Sequence, residues 1–275
     1  MISSSPLRVA AVQMVSTPDV ATNLAVAGTL IAEAAATGAR LVALPEYFCL
    51  MGMKDSDKVA VREVDGNGPI QTFLAEAAHK HGIWLVGGTV PLAAPQPDRV
   101  LNTLTVYDPQ GQRVARYDKV HLFRFNKGAE SYDEARTIAP GASVSTFEFE
   151  PTPGSRVRVG LSICYDVRFP ELYRAMGEVD LILVPAAFTA TTGAAHWEVL
   201  LRARAIENLA YVLAPAQGGR HLNGRATFGH SMLIDPWGRV LADRPEGPGV
   251  VFGDLDPQLI ADCRASLPAL KHRVF

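Results

Sequence analysis

The chain has 275 residues, enough to bury the core of one large α/β unit, and its hydrophobic fraction of 48% and charged fraction of 20% are those of a folded globular protein. With 26 basic against 28 acidic side chains the formal net charge is -2, which gives no footing for a nucleic-acid or anionic-membrane partner. Cys49, Cys164 and Cys263 are odd in number and widely spaced, which argues against a disulfide framework and a CxxC zinc site and makes a reducing cytoplasm the expected location.

The opening MISSSPLRVAAVQM has no basic segment followed by a sustained apolar run, and no later run is long enough to span a bilayer. Residues 7–15 read as a strand, and Asp19 or Thr22 caps an alanine-rich helix through Ala36 that stops at Thr37-Gly38. Residues 39–44 are a buried-strand run ended by Pro45, with Glu46 directly after. Residues 50–65 are polar and mixed, a loop with a short helix. From Pro69 the pattern PIQTFLAEAAHKHG predicts a helix with a stop at Gly82, followed by a strand over 83–90 and a proline-rich loop over 93–99. Residues 102–107 and 114–118 flank Asp108-Pro109-Gln110-Gly111, which has the chemistry of a hairpin turn.

The long polar stretch 121–141 is expected to be an ordered surface loop. Residues 157–163 form an apolar, β-branched strand leading into Cys164, and Pro170 fits the first turn of a helix. Residues 181–184 are a buried strand stopped by Pro185, and 196–207 carry an amphipathic helical pattern. Short strands follow at 210–216, 230–235, 240–242 and 250–255, with a second turn at Asp235-Pro236-Trp237-Gly238. Asp256 and Pro257 open a helix over 257–267, and 268–275 is a tail. No linker or repeat divides the chain. The fold class is α/β, one domain over 1–275, with two sheets packed face to face and helices outside; strand-to-proline breaks at Pro45 and Pro185 suggest two similar halves.

Three strand ends carry chemistry. Cys164 sits where a strand becomes a turn, a position that exposes a thiol and aims backbone N–H groups at it; the alternative is a small core hydrophobe. Glu46 follows a hydrophobic strand and a proline, which suits it to proton transfer near neutrality, the alternative being a capping or salt-bridging glutamate. Lys119, in ARYDKVHLF, can pair with a carboxylate, lower a neighbouring thiol's pKa and hold an oxyanion, or can be a strand-edge lysine with its ammonium in water.

Taken together, LPEYF, YDKVHLF and GLSICYDVRFPELYR resemble the glutamate, lysine and cysteine segments of the nitrilase superfamily of carbon–nitrogen hydrolases, in the family's order. TTGAAHWEVLLRARAIEN and GHSMLIDPWGRVLA extend the likeness over essentially the whole chain. The resemblance implies an α-β-β-α sandwich of the carbon–nitrogen hydrolase type that forms a homodimer or higher homo-oligomer, and needs no metal or organic cofactor. It assigns Cys164 as nucleophile, Glu46 as general base and acid, Lys119 as the cation stabilising the tetrahedral intermediate, and Glu134 in SYDEARTIAPG as the residue that orients Lys119. The backbone N–H of Tyr165 would complete the oxyanion site.

Within the superfamily the chain is most similar to the Nit-type amidases, in particular the deaminated glutathione amidases, which implies a small carboxylate-bearing amide as substrate and a thioester intermediate. The ω-amidases, acting on 2-oxoglutaramate or 2-oxosuccinamate, are the near alternative. A nitrilase, an N-carbamoyl-amino-acid hydrolase and a non-catalytic interaction protein of the same fold are the others. The chain departs from these relatives at Arg124-Phe125-Asn126, where they usually carry an acidic residue. Gly87-Gly88 and Gly218-Gly219 do not form the GxGxxG of a dinucleotide-binding module.

A substrate carboxylate calls for a cation, and Arg168 and Arg225 are the candidates, with Arg168 expected more readily to pair with Asp166 or Glu171. Phe188, Thr192 and His196 are further candidates for lining the pocket, and Thr191, Trp197, Glu198 and His230 lie nearby, Trp197 being explained equally by packing. His121, two residues past Lys119, invites a Cys–His dyad reading but is expected to be structural.

Overall fold

The computed structural model describes residues 6–128, 130–152 and 154–274. In the first half, β1 (Leu7–Gln13), α1 (Val20–Ala36), β2 (Leu41–Ala43), the short α2 (Asp57–Ala60), α3 (Pro69–His81), β3 (Trp84–Val86), β4 (Val90–Ala93), β5 (Val100–Tyr107) and β6 (Arg113–Asp118) follow one another. A hairpin of β7 (Arg124–Lys127) and β8 (Glu130–Asp133) and the two-residue β9 (Ile138–Ala139) lead to the second half. That half contains β10 (Ser145–Thr152), β11 (Ser155–Leu161), α4 (Pro170–Ala175), β12 (Leu181–Leu183), α5 (Ala190–Asn208) and β13 (Tyr211–Ala214). Then come the hairpin β14 (Gly218–Arg220) and β15 (Ala226–Phe228), β16 (Ser231–Ile234), β17 (Val240–Arg244), β18 (Gly249–Leu255) and α6 (Pro257–Ser266).

The strands make an eight-stranded sheet, β18-β1-β2-β3-β5-β4 with β6 and β9 on β5, and a six-stranded sheet, β10-β11-β12-β13-β16-β17. Strand alternation sorts the side chains into layers. Val9 and Ala11 of β1 point into a core shared with Val159, Leu161, Leu181 and Leu183 of the second sheet. Ala10 and Val12 face the opposite way, onto Ala27, Ile31 and Ala34 of α1 and Ile70 and Leu74 of α3. On the far side of the second sheet, Tyr173 of α4 and Trp197 and Leu201 of α5 close the core. The result is an α-β-β-α sandwich.

The two halves are alike where it matters. In each sheet the central strand, β2 or β12, lies between two parallel neighbours and ends at a proline, Pro45 or Pro185. The carboxyl ends of parallel strands are where an α/β sheet leaves its side chains free for chemistry.

Local signals account for most helix boundaries. Asp19 accepts from the Thr22 N–H to cap α1, Gly82 ends α3 in the left-handed region at φ +61°, and Asp256 caps α6 with Pro257 in its first turn. Three expectations need correction, and three strands were not foreseen. The strand predicted over 83–90 is two strands, β3 and β4, because Gly88 takes φ +55° against the Pro45 carbonyl and turns the chain. The polar stretch 121–141 is no plain loop: it carries the β7–β8 hairpin, whose exposed pairs show no apolar alternation and whose order comes from Phe123, Phe125 and Tyr132 packing on one another. Helix α5 starts six residues before His196, capped by Thr189. Strands β10, β14 and β15 carry no prediction, although Phe147 and Phe149 alternate with Glu148 and Glu150 along β10. Of the tail, Ala269–His272 form a single 3-10 turn and Phe275 lies outside the described residues. Among the described residues no helix is long and apolar enough to cross a membrane.

Gly88 lies against the Pro45 carbonyl one residue before Glu46, so substitution there reaches the site. In Gly88→Ala the added Cβ would meet the Pro45 oxygen at a φ that disfavours side chains. A loss of about 2 kcal/mol, a fall in melting temperature of roughly 4–8 °C, is expected by calorimetry, together with lower activity.

Candidate active site

Three of the loops that follow strands converge. Glu46 leaves the end of β2 and is 1% exposed, while Lys119 follows β6 and is fully buried. The Lys119 Nζ lies 2.8 Å from Glu46 Oε1 and 2.9 Å from Glu134 Oε2, so one ammonium bridges two carboxylates. Each acid has further donors. Glu46 accepts from Asn102 Nδ2 and from the Ala187 N–H, both at 2.9 Å; the second of these crosses from one sheet's central loop to the other's. Glu134 accepts from the Tyr47 hydroxyl and the Phe123 N–H, both at 2.7 Å.

Burial works against the Lys119 ammonium, but the charges of Glu134 and Glu46 outweigh it and hold the lysine above its ordinary range. Burial likewise disfavours the Glu134 carboxylate, yet Lys119 and the hydrogen bonds from Phe123 and Tyr47 carry it below its usual value. The strand-edge alternative for Lys119, with its head group in water, is therefore overturned.

Cys164 is the first residue of a 3-10 turn over Cys164–Arg168 and takes φ +49°, one of four described non-glycine residues with positive φ; Tyr47, next to Glu46, is another at +56°. Backbone strain thus falls on both loops that face each other. The expected exposure of the thiol is corrected: Cys164 is only 7% exposed and opens into a small cavity of about 10 Å³ that Glu46, Glu134, Tyr165, Phe188, Thr192 and Arg225 also line. Burial, with the nearby Glu46 charge, pushes the thiol well above its ordinary range, and the Lys119 ammonium only partly offsets this. The lysine thus lowers the thiol in the direction expected of it, but burial and the Glu46 charge together outweigh it.

The other residues singled out from sequence divide clearly. Phe188, Thr192 and Arg225 line the cavity. Arg168 does not ion-pair with Asp166 or Glu171 among the described residues; its guanidinium lies over the rings of Tyr165 and Phe188 at 5.6 and 5.2 Å, behind the cavity wall. His196 is on the exposed side of α5, 3.3 Å from Arg168, and is not part of the cavity lining. Thr191 and Glu198 are exposed as well. Trp197 is buried packing, its Nε1 bonded to the His230 carbonyl, and His230 pairs with Asp243. His121 stacks on Phe169 at 3.7 Å and holds Asp166 through Nδ1 at 2.7 Å.

Asp166 is the residue whose importance the sequence reading passed over. Fully buried two positions after Cys164, it also accepts from the Tyr117 hydroxyl, the His121 N–H and the Ile163 N–H at 2.8–3.1 Å. It thereby ties the lysine segment to the cysteine turn. An acid inside an apolar run was its signal, as was a lone Asn102 in the apolar strand β5.

Lys119→Met would leave two buried carboxylates facing each other without a cation, a loss of about 3–5 kcal/mol and roughly 10 °C in melting temperature. The sign follows from the shifts. The lowered Glu134 stabilises the fold above the ordinary glutamate value of 4.5 and loses that contribution as pH falls through its depressed value. The raised Lys119 contributes below 10.5 and loses its part only as pH rises through its elevated value. The gap between wild type and Lys119→Met, followed by thermal melts, is expected to be widest between those values and to narrow below about pH 4.

A family model for carbon-nitrogen hydrolase matches residues 8–265. The chain is 43% identical over 274 residues to the deaminated glutathione amidase of Synechocystis sp. (strain PCC 6803 / GT-S), covering 98% of this chain and 99% of that one. It is 38% identical over 272 residues to omega-amidase NIT2 of Danio rerio, covering 98% and 95%. Its fold matches, with a TM-score of 0.81 and 27% identity over 100% of this chain and 95% of the other, a mutant amidase from Nesterenkonia sp. AN1 that carries the acetamide moiety of fluoroacetamide covalently at its active-site cysteine. On this match along nearly its whole length, the chain belongs to the carbon-nitrogen hydrolase family, enzymes that hydrolyse carbon–nitrogen bonds other than peptide bonds.

Proposed function

We propose that the protein is a cysteine-dependent amidase for a small carboxylate-bearing amide, deaminated glutathione foremost, and that Cys164, Glu46, Lys119 and Glu134 carry the reaction. The observation that supports this most is the lining of one small cavity by Cys164, Glu46 and Glu134, with the Lys119 ammonium held between the two acids. A thiol that burial holds above its ordinary range needs a base, and Glu46 is the carboxylate whose charge bears most on the sulfur.

The Cys164 sulfur attacks the amide carbon while its proton passes to Glu46. The carbonyl oxygen becomes an oxyanion held by the Lys119 ammonium and the Tyr165 N–H. The carbon–nitrogen bond breaks as Glu46 returns the proton to the departing amine, leaving a thioester on Cys164. Water then attacks the thioester carbon, giving a proton to Glu46; the carbon–sulfur bond breaks, and that proton goes back to the sulfur. Glu134 positions Lys119 throughout, and its bonds to Tyr47 and Phe123 keep it from swinging toward the substrate.

The compact ω-amides remain the second substrate class, supported by the Danio rerio relative. A homo-oligomer is part of the same proposal, supported by the exposed Val199 and Ile206 on the outer face of α5 beside the Trp237 turn; sedimentation of Val199→Glu would then show a shift to smaller species.

Amine release from deaminated glutathione and ammonia release from 2-oxoglutaramate, measured side by side, test the reading. The wild type is expected to turn over the first, and Cys164→Ala and Glu46→Gln to lose at least about 1,000-fold in kcat. Intact mass is expected to reveal an acyl adduct on the wild type and none on Cys164→Ala. Comparable hydrolysis by Cys164→Ala would end the proposal.

A further inference from the structure

Outside the small cavity lies a wider chamber of about 420 Å³, walled by residues 50–58, the β7–β8 hairpin and the loop between β14 and β15. Phe123, Glu134 and Arg225 line both spaces, so the chamber is the approach to Cys164. Three cations line it: Lys54, which is exposed to solvent, and the partly buried Lys58 and Arg225. Lys58 Nζ lies 5.5 Å over the Tyr47 ring and has a single long hydrogen bond, 3.4 Å to Thr137 Oγ1. Arg225 lies 5.1 Å over the Tyr132 ring, donates to the Ala187 carbonyl at 2.8 Å and keeps a buried Nε with no partner.

Among the described residues neither Lys58 nor Arg225 has a carboxylate within ion-pair distance. The acids of the same wall are engaged elsewhere, Glu134 with Lys119 and Asp133 near Arg124 and Arg136; Asp55 and Glu130 line the chamber without reaching either cation. Burial lowers Lys58 from its ordinary value, and Arg225 and Lys119 lower it further against Asp55 and Glu134. Two partly desolvated cations without a counter-anion are complementary to a carboxylate, which would restore the pairing that burial demands.

The volume points to which carboxylate. About 420 Å³ is room for a ligand well beyond a five-carbon ω-amide, within the range of roughly 300–1,000 Å³ found for sites that take drug-sized molecules. We propose that Lys58 and Arg225 form an anion subsite that binds the carboxylate at the far end of the amine half of an extended amide, a group that deaminated glutathione has and 2-oxoglutaramate lacks. This rests on the reading of Cys164 as the nucleophile, which places the scissile amide at the inner end of the chamber; the length of the amine half is what assigns that half to the chamber.

The test compares kcat and KM of the wild type, Lys58→Met and Lys58→Arg on deaminated glutathione, on its analogue with the terminal carboxylate replaced by a carboxamide, and on 2-oxoglutaramate. In the wild type the carboxamide is expected to raise KM about tenfold with little change in kcat. Lys58→Met is expected to raise KM for deaminated glutathione by a similar factor and to erase most of the difference between acid and carboxamide, and Lys58→Arg to restore it. A wild type with equal KM for acid and carboxamide overturns the subsite, whatever the variants do. Equal KM increases for deaminated glutathione and 2-oxoglutaramate in Lys58→Met would assign Lys58 to the acyl carboxylate and overturn the assignment to the amine half. A wild type inert on all three would overturn the amidase reading and this inference with it.

Discussion

One fully buried ammonium held between two carboxylates is the constraint on which the rest of the structure depends. Buried charges are costly unless paired and fully hydrogen-bonded, and a like-charged pair of acids cannot share a site without a cation between them. Lys119 meets that requirement for Glu46 and Glu134. Donors from Asn102, Ala187, Tyr47 and Phe123 take up the remaining oxygen valences. Such a triad adds little to stability compared with apolar packing of the same volume. Its presence at the centre of the molecule marks a place where the fold holds charge for chemistry.

The sandwich supplies the geometry. Parallel strands on either side of β2 and β12 bring two proline-ended loops to the same end of the stacked sheets, and the Ala187 N–H reaches Glu46 across the gap. The left-handed backbone at Tyr47 and Cys164 is tolerated because neighbours over-determine it: the Tyr47 N–H donates to Thr89, the Cys164 N–H donates to the Pro185 carbonyl, and Asp166 pins the turn that follows. Asp166 also links the cysteine turn to the residues flanking Lys119, so sulfur and ammonium are set by one shared anchor.

The outer chamber is built from different elements. The walls of the outer chamber come from loops and a hairpin that pack on the sandwich without belonging to either large sheet. Glu134 and its donors Tyr47 and Phe123 line the chamber as well, so these segments reach the ion-paired triad directly. Arg225 joins the two, since it lines both spaces and hydrogen-bonds the residue whose N–H holds Glu46.

The amino-acid sequence by itself determined the α/β class, most strands and helices, and the three motifs around Glu46, Lys119 and Cys164, because apolar runs, proline stops and helix caps act over a few residues and are written locally. It did not reveal the β7–β8 hairpin, whose order comes from aromatic packing in three dimensions, nor the break at Gly88, which answers to a carbonyl some forty residues away. The fate of Arg168 was equally illegible: sequence neighbours offered Asp166 as its partner, but that carboxylate is filled by Tyr117 and His121 from another strand end. Only the tertiary structure decided that the thiol is buried, that Lys119 is shared by two acids, and that Lys58 and Arg225 border one chamber. Burial and charge pairing are sums over groups remote in the chain, and they acquire values only when the sheets close on each other.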